Sequence, residues 1–239
     1  MTGRLQVAWP DPELFARRDG RPLRLLAISD ETDPSLDSAE TRSGLEPLDL
    51  IVGCGDLQAE YLSFVADAFG GVPMVYVRGN HDVGAAWAHE QRTNLPAPLA
   101  DGRLHEEAGL VLVGFSGSPV YSNRGMEVSA LMMWLRVLGS WLRLSRRRPL
   151  LVLTHAAPRG LNDATDPAHR GFTAFRWLAE RLAPPLWLHG HTALVRRGID
   201  GRLLRLNGTL FYNCTGATLI ELVPPDASLT HSRPSAPER

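Results

Sequence analysis

Cysteine is scarce in this chain: two in 239 residues, Cys54 and Cys214, both in apolar, strand-like surroundings. Two thiols cannot build a disulfide framework, so buried free cysteines are expected. Long hydrophobic runs are missing too, and none reaches membrane-spanning length. The opening Met1-Thr2-Gly3-Arg4-Leu5 lacks the apolar stretch of a signal peptide. Neither sign of charge dominates, with 25 basic side chains against 26 acidic ones and a net charge of −1. Bulk charge therefore indicates no nucleic-acid and no membrane partner. There is no internal repeat. There is no P-loop or dinucleotide fingerprint either, so the small-residue stretch Gly114 to Ser118 is a weak phosphate-cradle signal. What remains is a cytoplasmic globular protein whose 44% apolar content fills the core of one large α/β domain.

The most informative stretch is Val75-Tyr76-Val77-Arg78-Gly79-Asn80-His81-Asp82. The alternating apolar residues read as a short strand. Gly79 permits a sharp turn after it. Asn80, His81 and Asp82 then sit just past a strand end, where α/β sheets place their ligands. Asn80 offers a neutral oxygen, His81 a proton carrier near neutral pH, and Asp82 a carboxylate that could orient it.

The same arrangement recurs along the chain. Residues 1–22 look like a loose lead-in with prolines and charges. Leu23 to Ser29 is a buried strand ending in Asp30-Glu31-Thr32-Asp33. Leu48 to Cys54 is a second, ending in Gly55-Asp56. Gln58 to Phe69 has helical spacing, and Pro73 opens the strand that leads to Asn80. From Val83 to Gly102 a long loop with a short helix near Trp87 is expected. A hairpin follows over 103–107 and 110–115. Met126 to Leu144 is predicted as a helix whose core stripe is Met132, Leu135, Leu138, Trp141 and Leu142, ending in arginines that suit a helix C-terminus. Pro149 to Thr154 is a strand ending in His155. Phe172 to Leu182 is a helix, and Leu186 to Leu188 is a strand followed by His189-Gly190-His191. Antiparallel hairpins with turns at Asp200-Gly201 and Asn207-Gly208 are expected up to Val223. The polar, proline-rich 224–239 segment reads as a disordered tail. The expected domain is thus 23–223.

Five strands therefore end in candidate ligands: Asp30, Asp56, Asn80, His155 and His191. Oxygen and imidazole donors without cysteine suit Mn²⁺, Fe²⁺ or Zn²⁺ better than Ca²⁺ or Cu(I). Gly55-Asp56, Gly79-Asn80-His81-Asp82, the lone His155 and Gly190-His191, in this order, resemble the calcineurin-like metallophosphoesterase family. The likeness covers most of the chain.

The resemblance implies a four-layer α/β/β/α sandwich with two metal ions bridged by Asp56. One ion would be held by Asp56, Asn80, His155 and His191. The other would be held by Asp30, Asp56 and two histidines. At those two positions this chain has Thr32 and Ala193, so both departures fall on one ion. Three consequences stay open. The protein could use one tight and one weak ion. Glu31, Asp33 or His189 could complete the weak site; two-residue alternation puts His189 on the face of His191. Or the chain could bind phosphate ligands with little turnover. The implied reaction is hydrolysis of a phosphate ester on a small phosphorylated substrate by a metal-activated water, with His81 as acid and Asp82 holding it. The 83–102 and 116–126 loops would set specificity. Arg159 and His169 read as ordinary loop residues.

Overall fold

The computed structural model describes residues 3–84, 87, 95–147, 149–192 and 199–225. In chain order its strands are β1 (Gly3–Ala8), β2 (Leu23–Ser29), β3 (Leu50–Gly53), β4 (Met74–Tyr76), β5 (Leu104–Glu107), β6 (Leu110–Phe115), β7 (Ser118–Pro119), β8 (Glu127–Val128), β9 (Leu151–Thr154), β10 (Leu186–His189), β11 (Leu203–Leu206), β12 (Thr209–Asn213) and β13 (Gly216–Val223). The helices are α1 (Pro12–Ala16), α2 (Ala39–Leu45), α3 (Ala59–Ala68), α4 (Ala130–Leu144) and α5 (Thr173–Leu182).

Two large sheets result, in the orders β1-β13-β2-β3-β4 and β11-β12-β10-β9-β6-β5, with β7 and β8 pairing separately. Strand alternation explains how they stack. Leu25 and Ala27 of β2 face Leu151, Leu153, Leu186 and Leu188 of the other sheet in one shared core. Leu26 and Ile28, one residue out of phase, pack instead with Leu62 and Val65 of α3. On the far side, Val152 and Trp187 meet Met133 and Val137 of α4 and Phe175 and Leu178 of α5. The layers are helix, sheet, sheet, helix, as the resemblance implied.

The central strands β2, β3 and β4 run parallel, as do β6, β9, β10 and β12. Their carboxyl ends therefore open on one edge of the sandwich. That is the edge where Asp30, Asp56, Asn80, His155 and His191 follow their strands.

Four expectations need correction. Residues 3–8 are not a loose lead-in but an edge strand parallel to β13, with Val7 buried. The segment after β10 is not a run of hairpins. Among the described residues only β11 and β12 form one, across Asn207-Gly208 with both φ positive, while Asp200-Gly201 lies in a 3₁₀ turn. β12 pairs in parallel with β10, and β13 crosses to the first sheet. The helix begins at Ala130, because Ser129 caps it with Oγ accepting from the Met132 N–H at 3.2 Å. Its buried face is Met133, Val137, Ser140 and Leu144; Met132, Leu135, Leu138 and Leu142 point outward. The helix is apolar on both sides, so periodicity could not say which side faces in. The expected helix near Trp87 lies mostly outside the described residues, as do Ala193 and most of the 224–239 tail.

Candidate metal centre

The centre is assembled from sharp turns at strand ends. Asp30, Asp56 and His191 all have positive φ, at 58°, 53° and 66°. Non-glycine residues reach this region at a cost and cluster at functional sites. Gly79 lies so close under Asp56 that a Cβ there would land on its carboxylate. A glycine is therefore required for the two turns to touch.

Asp56, His155 and His191 bring one donor atom each within 4.8 Å of one another. Asn80 joins them. His155 Nε2 lies 3.0 Å from Asn80 Oδ1 and 3.2 Å from Asp56 Oδ2. The other ring nitrogen, Nδ1, is 2.8 Å from the Cys54 carbonyl, so Nδ1–H donates there and Nε2 is the nitrogen that faces the cluster, available to a cation once it gives up its proton. His191 Nε2 is 2.6 Å from the Ala168 carbonyl, which assigns Nε2–H as donor and leaves Nδ1 for the centre. Asn80 Nδ2 donates to the Tyr121 hydroxyl at 3.2 Å, and this fixes Oδ1 toward His155. Two oxygens and two imidazole nitrogens thus face common ground. That is an arrangement a divalent cation satisfies, and imidazoles backed by carbonyls are typical of metal ligands. The four residues fit such an ion.

The electrostatics agree. Burial opposes charging the His155 ring, yet the Asp56 and Asp30 carboxylates hold its pKa up at about 9. A proton on His155 therefore supplies the positive charge the cluster demands when no metal does. Burial and the neighbouring His155 push His191 down to about 3. Burial acts to raise Asp56, but His155 and the His81 N–H outweigh it and the net shift is downward.

The remaining candidates take different places. Asp30 is not in the donor cluster. Both of its oxygens accept the His191 N–H, at 2.9 and 3.0 Å, and Oδ2 also accepts from Ser29 Oγ at 2.5 Å. Burial raises its pKa. Asp82 is buried, and its Oδ2 accepts from the Asp56 N–H (2.9 Å) and the Gly79 N–H (2.7 Å), which ties the two turns together. Burial lifts its pKa to about 6. His81 is exposed at the rim, and its N–H donates to Asp56 Oδ1 at 2.7 Å.

Thr32 is also exposed, on a cavity of about 360 Å³ beside Asp30 that Glu31, Asp33, Arg4 and Arg202 help to line. Asp33 Oδ1 caps a 3₁₀ turn by accepting from the Ser35 N–H. His189 is buried with Nδ1 3.0 Å from the Gly190 carbonyl. Neither is among the clustered donors of the described residues. Tyr121 was not legible as a site residue. His169, whose ring centroid lies 5.4 Å from that of His191, was read as ordinary loop.

A four-layer sandwich with a cluster of oxygen and imidazole donors along its strand ends has the build of a metallophosphoesterase. Residues 39–194 match the family model described as calcineurin-like phosphoesterase, and the chain belongs to that family of phosphoester hydrolases. No curated protein matches the chain. Among solved structures, TT1561 of Thermus thermophilus is similar, with TM-score 0.55 and 13% identity over 82% of this chain and 90% of its own. A dimetal phosphatase from Danio rerio aligns with TM-score 0.51 and 11% identity, covering 82% of this chain and 88% of its own. At such identities the likeness shows the fold alone. Among the described residues, no helix is long and apolar enough to cross a membrane.

Proposed function

We propose that the protein hydrolyses a small phosphate ester with one tightly held divalent ion. Asp56, Asn80, His155 and His191 hold it; Mn²⁺, Fe²⁺ or Zn²⁺ suit these donors. The carrying observation is the convergence of Asn80 Oδ1, Asp56 Oδ2 and His155 Nε2 with the other His155 nitrogen already committed to a carbonyl. When bound, the ion would neutralise phosphoryl oxygens and acidify a water for attack.

The protein's own groups do the rest. His81, exposed beside the cluster and anchored through its N–H to Asp56, delivers a proton to the leaving oxygen. Asp82 serves by positioning: it clamps the turn that carries Asp56 to the turn that carries Asn80 and His81. Tyr121 keeps the Asn80 oxygen pointed inward. The two unbridged thiols fit a reducing, cytoplasmic setting.

A second reading rests on Asp30. A carboxylate occupied by His191 and Ser29, beside Thr32 in place of a histidine, favours a protein that binds phosphate with little turnover. Purified protein assayed on an aryl phosphate and the corresponding diester, with metal analysis of the same sample, separates the two. Metal-dependent release of the phenol supports hydrolysis. Bound metal without release from either compound supports the binding reading.

A further inference from the structure

The outward face of α4 carries an apolar stripe that the described residues do not cover. Leu131, Leu135, Leu138 and Leu142 are 70%, 56%, 50% and 69% exposed, and Met132 beside them 47%. Their intervals of four, three and four are those of a coiled-coil seam. No charge interrupts the stripe. Arg136 pairs with Asp101, and Arg143 leans to the Gly102 carbonyl at 3.5 Å. The patch amounts to roughly 500 Å², toward the upper end of what a monomer exposes. Gly139 adds a second oddity on the same face. A Cβ there would meet nothing within 4 Å, so the fold does not require glycine. In mid-helix it is less favourable than alanine.

We infer that this face pairs with α4 of a second copy, antiparallel, about a two-fold axis between Arg136 and Val137. The sequence is self-complementary in that arrangement. Leu131 meets the partner's Leu142, and Leu135 meets the partner's Leu138. Trp134, half-buried against Trp177, meets the open backbone of the partner's Gly139. A parallel pair would bring the basic helix ends together and align the dipoles unfavourably. A two-fold contact of this kind closes on itself and leaves no open edge. The 226–239 segment, Ala-Ser-Leu-Thr-His-Ser-Arg-Pro-Ser-Ala-Pro-Glu-Arg after Asp226, has one leucine and no aromatic residue, so its composition offers little apolar surface to set against the stripe. The area per copy is below the ~800 Å² of a standard interface, so a dimer of modest affinity is expected.

Sedimentation of the full chain across a concentration series tests this, with two kinds of variant. The wild type is expected to be dimeric at tens of micromolar, and Leu135→Glu monomeric, with the dissociation constant raised roughly 100-fold or more. Because Leu135 is exposed, the variant should unfold thermally as the wild type does at concentrations below the wild-type dissociation constant. For orientation, a mixture of Leu131→Cys and Leu142→Cys should cross-link on oxidation, while either alone should not; the native thiols are buried. A wild type monomeric at 100 µM (~10⁻⁴ M, the weak end of association) would overturn the proposal. So would cross-linking of Leu131→Cys with itself, which means a parallel pair. A monomer that instead floats with anionic vesicles would assign the stripe to a membrane surface and overturn it too.

Discussion

The backbone N–H of His191 donates to both oxygens of Asp30, joining two strand ends that are 161 residues apart in sequence. Gly190 makes this approach possible, since a Cβ there would collide with Asp30 and Ser29. The carboxylate that the family pattern assigns to a second ion here latches His191, a residue proposed to hold the first. It holds the positive-φ turn that aims His191 at the centre. Asp30→Asn keeps an acceptor and is expected to leave metal content unchanged. Asp30→Ala removes the latch and should weaken metal affinity about 10–100-fold, as loss of an outer support does. Metal analysis after dialysis against graded chelator measures both. A fall from two ions to one in Asp30→Asn would show that Asp30 is a ligand.

The four-donor set leads to a stoichiometry. Purified protein should hold nearer one tight divalent ion per chain than two. Asn80→Ala and His155→Ala should lose it, because each removes a donor that faces the others at 3.0 Å. His81→Ala should keep the metal and lose turnover by roughly 10²–10⁴-fold, the usual cost of a missing general acid. Release of the metal by His81→Ala would mean that its role is coordination.

Metal affinity should depend steeply on pH. With no ion bound, His155 carries a proton up to about pH 9, held by Asp56 and Asp30 against the penalty of burial. An incoming cation needs the Nε2 lone pair and must displace that proton. Below pH 9, affinity is therefore expected to fall about tenfold per unit as pH drops, from this group alone. Calorimetry at pH 7 in two buffers of different ionisation enthalpy should report close to one proton released per ion. Zero release would show that His155 is neutral in the metal-free protein.

The strand ends were readable because chemistry and pattern coincide there. An apolar run that stops at a glycine and a polar residue marks both the end of a buried strand and the start of a site, and Asp56, Asn80 and His155 were each found that way. Other features carry no local mark. Tyr121 reaches Asn80 from a loop 41 residues away, and nothing around it in sequence distinguishes it from any exposed tyrosine. Asp30 reads as a ligand by position, and only the backbone path of His191 makes it a latch. In β1, Leu5 and Val7 alternate with polar neighbours, a signal masked by the prolines and charges that follow. In α4 the pattern misled, because one apolar face meets the sheet and the other meets solvent.

The last prediction concerns Thr32 and Ala193, the two positions at which the family pattern has histidines. Thr32 is exposed beside Asp30 and offers a neutral hydroxyl; Ala193, outside the described residues, has no donor at all. Both oxygens of Asp30 and Oδ1 of Asp56 already accept the N–H groups of His191 and His81, so part of their acceptor capacity is taken, and neither Thr32 nor Ala193 adds an imidazole for a second ion. An ion with few protein donors binds weakly and acidifies its water less. Thr32→His combined with Ala193→His should therefore raise uptake of a second ion. It should also lower the Mn²⁺ concentration for half-maximal turnover. Each single change should do less, because it restores one donor of two. A Mn²⁺ titration of the rate for wild type, both singles and the double provides the measurement. Four coincident curves would show that the site is already completed by another group, with Glu31 on the same cavity wall the first to test. A double variant that takes up a second ion and still turns nothing over would decide for the phosphate-binding reading.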